Sequence, residues 1–180
     1  MAGGGSGLVL ETERLILRPL GGSDAKTVQE LAGDREVART TLHIPHPYPD
    51  GVAQNWIAGL GPAAAAGRVH TFAVVRKADG LFLGVVSLAI DKEQSRAELA
   101  YWLGRPYWGQ GFITEAARRM VAYGFGELGV HRVYAYAMTK NAASTRVMQK
   151  IGMAYEGRLV QHIRKWDQYE DVDVYGMVKP

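Results

Sequence analysis

The chain has 180 residues, no cysteine, 47% hydrophobic and 22% charged residues, and a formal net charge of +3. That composition fits one ordinary globular domain with a sizeable core, and it excludes a disulfide framework, a thiol nucleophile and a cysteine-ligated metal site. The mild positive charge suits an anionic ligand but lacks the Lys/Arg tracts of a nucleic-acid binder, and no apolar run approaches a membrane span, so neither partner is expected.

Residues 1–7, Met-Ala-Gly-Gly-Gly-Ser-Gly, read as a flexible tail without the basic and apolar regions of a signal peptide, leaving 8–180 as the expected domain. With no cysteine, a reducing cytoplasmic compartment is the expected location. Glu13 to Leu20 reads as a strand, with Leu15 and Leu17 on one side, ending at Pro19. Ser23 and Asp24 can cap a helix running to about Ala32. The segment His43 to Asp50 holds three prolines and must be irregular, a candidate pocket wall, and Asp50 can open a second helix containing Trp56, Ile57 and Leu60.

His70–Arg76 and Leu81–Ile90 are strand formers joined by Ala78-Asp79-Gly80, a hairpin turn. Arg96–Leu103 is another strand, and Thr114–Leu128 places Ala117, Met120, Val121, Gly124, Phe125 and Leu128 on one helical face, closed by Gly129. His131–Met138 reads as a strand and Asn141–Ile151 as a short helix stopped by Gly152. Tyr155–Met177 reads as two strands turning near Trp166 and Asp167.

The chemistry concentrates where the strand ending at Leu103 runs through Gly109 and Gly111 into a helix. A helix start leaves backbone N–H groups without intrahelical partners at the positive end of the dipole, and glycine lets a pyrophosphate approach them. A Walker A loop would need Gly-Lys-Ser/Thr here, and a dinucleotide fingerprint a third glycine where Thr114 stands, so both fail. A plain glycine turn remains the bland alternative.

The stretch Pro106-Tyr-Trp-Gly-Gln-Gly111 resembles the coenzyme A loop of the GNAT superfamily of N-acetyltransferases, with Pro106 where Gln or Arg is usual. Tyr101-Trp-Leu103, Tyr107-Trp-Gly-Gln-Gly111, Asn141-Ala-Ala-Ser144 before Lys150-Ile-Gly152, and the opening Glu11 to Pro19 resemble the branch of ribosomal-protein N-terminal alanine acetyltransferases. The resemblance implies a single-domain α+β fold: a mixed, mostly antiparallel sheet of about seven strands, splayed at the centre and flanked by helices. It implies acetyl-CoA as cosubstrate, no metal, and direct attack of a primary amine on the thioester. The cofactor-binding positions it implies are Trp102 and Leu103 for the pantetheine arm, Trp108, Gly109, Gln110, Gly111, Phe112 and Ile113 for the pyrophosphate, and Asn141 and Ser144.

An amine must lose a proton before attack and the departing thiolate must gain one. Glu98 is the first candidate base, sharing a strand face with Ala100 and Trp102; its alternative is an ion pair with Arg96 or Arg132. The superfamily's usual general acid, a Tyr seven residues after the Asn, is Met148 here, so the resemblance passes the role to Ser144, whose alternative is a backbone bond at the helix start. His162 is a further titratable candidate in the hairpin Gln161–Tyr169, which has no Glu where the branch places its base. His43 and His46 read as pocket-lining rather than metal-binding, and Tyr101, Trp56 and Trp166 as core or rim aromatics. Arg118, Arg119, Arg146 and Lys150 are candidate phosphate contacts or simply solvated cations.

The expected acceptor is a protein N-terminal α-amino group; the alternatives are a small amine (polyamine, amino acid or antibiotic) and, without catalysis, a coenzyme-A-binding regulator. A homodimer is left open by the sequence.

Overall fold

The computed structural model describes residues 7–180, so the expected tail lies outside the described residues except for Gly7. One eight-stranded sheet organises the chain, in the order β1-β2-β3-β4-β5-β6-β8-β7. Its strands are β1 (Leu10–Glu11), β2 (Leu15–Arg18), β3 (Val69–Arg76), β4 (Phe82–Asp91), β5 (Arg96–Leu103), β6 (Arg132–Met138), β7 (Ala154–Lys165) and β8 (Gln168–Val178). Five helices flank it: α1 (Ala25–Ala32), α2 (Arg35–Arg39), α3 (Val52–Ala65), α4 (Phe112–Gly126) and α5 (Ala142–Lys150). Every neighbouring pair is antiparallel except β5 and β6.

Strand alternation sorts the side chains into two cores. Phe72 and Val74 of β3, and Ala97, Leu99 and Leu103 of β5, join Met120, Val121 and Phe125 of α4 on one face. Ala73 and Val75 of the same β3, with Phe82 and Val85 of β4, pack under Val28 of α1 and Ile57 of α3 on the other. The sheet is therefore buried on both faces through the middle of β3 and β4. At about 25 cal/mol per Å² of apolar surface, each fully buried Leu or Val contributes roughly 1.5–3 kcal/mol.

Four details depart from the sequence reading. The opening strand is shorter than Glu13–Leu20 because Thr12 N–H bonds Leu15 O (3.0 Å), a tight turn that creates the extra strand β1. Asp24 does not cap α1. Its carboxylate instead accepts from Gly21 N–H (2.8 Å) and takes two bonds from Arg18 (2.7 and 2.8 Å). Asp50 likewise accepts from Gln29 Nε2 (2.7 Å), while α3 opens on Gly51 at φ 84°. Helix α2 is an addition, and its signal was present: Asp34 accepts from Glu36 N–H (2.7 Å) as an N-cap.

Candidate active site

The parallel pair β5/β6 is joined only over Arg96–Glu98 against Arg132–Tyr134. Beyond that point β5 stays bonded to β4 through Leu103, while β6 pairs along its whole length with β8. The sheet thus opens between two fully supported strands, leaving the β6-facing backbone of β5 without a strand partner from Leu99 onward. Gly104 N–H reaches Leu83 O (2.8 Å), so by alternation the backbone groups of Trp102 turn to β4 and those of Tyr101 and Leu103 turn to the gap. A Cβ at Gly84 would stand 2.2 Å from Trp102 O, which shows how closely β4 holds that half of β5. Of the two strand positions expected to meet a pantetheine arm, Leu103 presents backbone to the gap, although its carbonyl already accepts from Trp108 Nε1 (2.9 Å). Trp102 contributes its ring to the opposite face, near Phe82 at 6.3 Å between centroids.

At the mouth of the gap the chain makes a cradle. Gly109 and Gly111 adopt φ 74° and 80°, and Gly111 is the N-cap of α4. Trp108 N–H is spent on Arg105 O (3.2 Å), whereas the amides of residues 109–114 have no backbone acceptor among the described residues. A Cβ at Gly109 would meet nothing within 4 Å, so a ligand has an open approach. These residues fit a pyrophosphate.

Arg14, which the sequence reading passed over, fastens the cradle. It donates from Nη1 to Gln110 O (3.1 Å) and from Nε to Glu115 Oε2 (2.7 Å), with its guanidinium 4.6 Å from the Phe112 ring centroid. Glu115 also accepts from Thr12 Oγ1 (2.5 Å) and Arg14 N–H (2.8 Å). Burial works against the Glu115 carboxylate, but these bonds outweigh it and hold its pKa below the usual range. Beside the cradle lies a cleft of about 280 Å³ whose lining joins the cations Arg14, Arg118 and Lys150 with the carboxylates Glu13 and Glu115. Arg118 also donates to Lys150 O (3.0 Å), whereas Arg119 pairs with Glu127 (3.1 Å).

On the α4 and α5 face of the gap, Asn141 caps α5 by accepting from Ser144 N–H (3.1 Å). Ser144 Oγ stands 3.0 Å from Tyr101 Oη, which also donates to Ser144 O at 3.1 Å. Burial pushes the Tyr101 phenol up to about 12, partly offset by its bond to Ser144. It therefore stays protonated as a hydrogen-bond donor. Met148, at the position of the expected tyrosine, is 1% exposed and part of the core. A tyrosine hydroxyl still reaches Ser144, supplied by β5 rather than by the helix.

Glu98 faces the other side of the sheet, in register with Tyr134 of β6. The ion-pair alternative does not hold: Arg96 pairs with Asp91 (3.1 Å) and Arg132 with Glu156. Among the described residues Glu98 makes no hydrogen bond or ion pair. Burial raises its pKa, and the charge of His43 partly counters that shift. Tyr136, 41% exposed, and His162 continue this face outward, with ring centroids 6.2 Å apart. His46 is held elsewhere, against Gly33 O (3.1 Å) and near Trp166 (6.3 Å).

A splayed sheet, a glycine cradle at a helix start and a free carboxylate at the foot of the gap together suit amine acylation by a coenzyme A thioester. The model of the acetyltransferase (GNAT) domain matches residues 14–154. The chain belongs to the GNAT family of N-acetyltransferases. This acetyltransferase is 30% identical over 172 residues to the N-acetyltransferase p20 of Bacillus licheniformis, covering 94% of this chain and 96% of that one. YdaF of Bacillus subtilis, provisionally named a ribosomal N-acetyltransferase, is 32% identical over 102 residues, 56% of each chain. The structure of RimL, a ribosomal L7/L12 α-N-protein acetyltransferase in complex with coenzyme A, superposes with a TM-score of 0.87 at 18% identity, covering 95% of this chain and 98% of that one. Acetyl-CoA is the cosubstrate of the family. No helix among the described residues is long and apolar enough to cross a membrane.

Proposed function

We propose that this acetyltransferase, a single catalytic domain over residues 8–180 acting in the cytoplasm, acetylates a protein N-terminal α-amino group, with Glu98 drawing the proton from the attacking amine. The observation that carries the reading is Glu98 itself, a half-buried carboxylate with no partner among the described residues, at the foot of the splay. Its raised pKa makes it a better base near neutral pH than an exposed glutamate. An α-amino group, with a pKa of about 8 against about 10.4 for lysine, is the amine such a base can deprotonate most readily. The face outward from Glu98 ends on the exposed ring of Tyr136, which supports an open groove able to admit the end of a polypeptide.

Acetyl-CoA, when bound, supplies the thioester acyl group. The amides of residues 109–114 hold the pyrophosphate, Leu103 and Tyr101 offer backbone to the arm, and Asn141 keeps α5 in place. Ser144 Oγ–H donates to the departing sulfur, and Tyr101 fixes that hydroxyl at 3.0 Å. In the unliganded arrangement Tyr101 donates to the Ser144 carbonyl, and either hydroxyl can donate between Tyr101 Oη and Ser144 Oγ; in one arrangement the serine hydroxyl hydrogen points to Tyr101 Oη. Turning that hydrogen towards sulfur costs one hydrogen bond and makes another.

A second reading is favoured by the same face: Tyr134 and Tyr136 stand beside an unpaired carboxylate, chemistry that also holds a small cationic amine. The deciding experiment follows free thiol release from acetyl-CoA against peptides beginning with Ala, Ser or Met and against free polyamines, amino acids and aminoglycosides. Turnover confined to the peptides supports the N-terminal reading; turnover confined to a free amine overturns it in favour of the second.

A further inference from the structure

The β5/β6 gap divides the sheet into two blocks whose strands are joined only over Arg96–Glu98 and Arg132–Tyr134. On the Glu98 face each block carries one projecting segment. Residues 40–51, between α2 and α3, belong to the block of β1 to β5, because Tyr48 packs with Trp102 of β5 on the cluster that holds Ile57, Phe82 and Val85. The β7–β8 hairpin belongs to the other block, where His162 of β7 leans on Tyr136 of β6 with ring centroids 6.2 Å apart.

Lys165, near the end of β7, joins the two segments. It is 4% exposed, and no carboxylate lies within ion-pair distance of it among the described residues. A buried ammonium without a counter-charge is costly, so its N–H groups have to be satisfied in another way. Nζ donates to Ile44 O (2.8 Å) and Leu42 O (3.3 Å), across 121 and 123 residues of chain. Pro45, Pro47 and Pro49 deprive this loop of N–H donors, so carbonyls are what it offers a neighbour and a cation is a strong donor to them. The next residue, Trp166, takes φ 53°, and its ring lies 5.8 Å from the Arg35 guanidinium of α2 and 6.3 Å from the His46 ring. Among the described residues no other hydrogen bond links residues 40–50 to β6, β7 or β8.

We propose that Lys165 is a positioning residue for the acceptor: by tying the Pro-rich loop to the β7–β8 hairpin across the split, it fixes the spacing of the two walls between which the amine reaches Glu98. This rests on the reading of the Glu98 face as the acceptor side. The tie holds main-chain carbonyls, so it sets where the loop stands whatever side chains the loop carries.

The test uses whichever acceptor in the thiol-release panel above has the highest kcat/KM. It compares wild type with Lys165→Met, Trp166→Gly and Lys165→Cys, the last before and after alkylation with 2-bromoethylamine. The chain has no native cysteine, so alkylation in the unfolded state followed by refolding rebuilds an ammonium of lysine length at that one position. Lys165→Met is expected to raise the acceptor KM about 10-fold while kcat stays within about twofold, with acetyl-CoA affinity unchanged by calorimetry. Deuterium uptake should quicken over residues 40–51 and stay at the wild-type rate over residues 109–116. Alkylated Lys165→Cys should regain most of the lost acceptor affinity. Trp166→Gly removes only the ring, because glycine accepts φ 53° without strain, and should raise the acceptor KM about threefold. It carries the test if Lys165→Met fails to melt cooperatively. An unchanged acceptor KM in both variants, a KM rise that alkylation does not reverse, or wild-type uptake over residues 40–51 in Lys165→Met overturns the proposal. Glu98→Gln run in parallel separates the two levels. Full kcat there refutes the base assignment, whereas a low kcat there beside a wild-type KM in Lys165→Met refutes only the tie.

Discussion

The donor side and the acceptor side of the gap are built in different ways. The donor side is mostly backbone: two glycines at positive φ, the unpaired amides at the start of α4, and the free half of β5. The proposed acceptor side is made of side chains from segments far apart in the sequence, with Glu98 on β5, Tyr134 and Tyr136 on β6 and His162 on β7. A cofactor with a fixed pyrophosphate can be held by peptide groups that every residue possesses. An acceptor must be distinguished by individual side chains, so one family can keep the first arrangement and vary the second.

Changes on the two sides should accordingly separate in their kinetics. The largest effect is expected from Glu98→Gln, which should lower kcat by about 10²–10⁴ with acetyl-CoA affinity intact. The acid limb of wild type, where kcat rises as the Glu98 carboxylate forms, should sit above the ordinary glutamate range because burial raises that pKa, and the variant should lack it. An equal loss of acetyl-CoA affinity would break the division between the two sides.

Next comes Gly111→Val. A β-branched residue at φ 80° costs about 1–3 kcal/mol of backbone strain, and its Cβ would sit 3.4 Å from Arg14 Nη2. Acetyl-CoA should bind about 10- to 100-fold more weakly by calorimetry, with the acceptor KM unchanged. Tyr101→Phe removes a bond to Ser144 worth about 1 kcal/mol and should lower kcat about fivefold, leaving both substrate affinities in place in steady-state assays.

The smallest effect concerns stability on the donor side. The Glu115 pKa is depressed in the folded protein, so its contribution is complete above the unfolded value of about 4.3 and is lost as pH falls through the folded value. Glu115→Gln should cost about 1 kcal/mol at neutral pH, discounted for the exposure of Arg14, and the thermal-melting difference from wild type should vanish in acid.

Much of the fold was legible residue by residue. β5 runs from Arg96 to Leu103 as its pattern predicts, and the coenzyme A motif marks the turn into α4 where the glycines take positive φ. Where the reading slipped, a polar side chain had two local uses. Asp24 and Asp50 are sound N-cap residues, yet each found a better partner in Arg18 or Gln29, and no local rule ranks those choices.

Periodicity, turn chemistry and the Gly-x-Gly segment by themselves determined most of the element order, from β3 to β8, and the glycine turn into α4, because each depends on spacing within a few residues. Only the tertiary structure decided that Glu98 is unpaired, that Tyr101 rather than residue 148 meets Ser144, and that Lys165 holds the carbonyls around His43. Those contacts join residues 43 to 123 positions apart. Their partners are chosen by how the sheet splays and how the hairpin folds back, and side-chain chemistry along the chain carries no record of either.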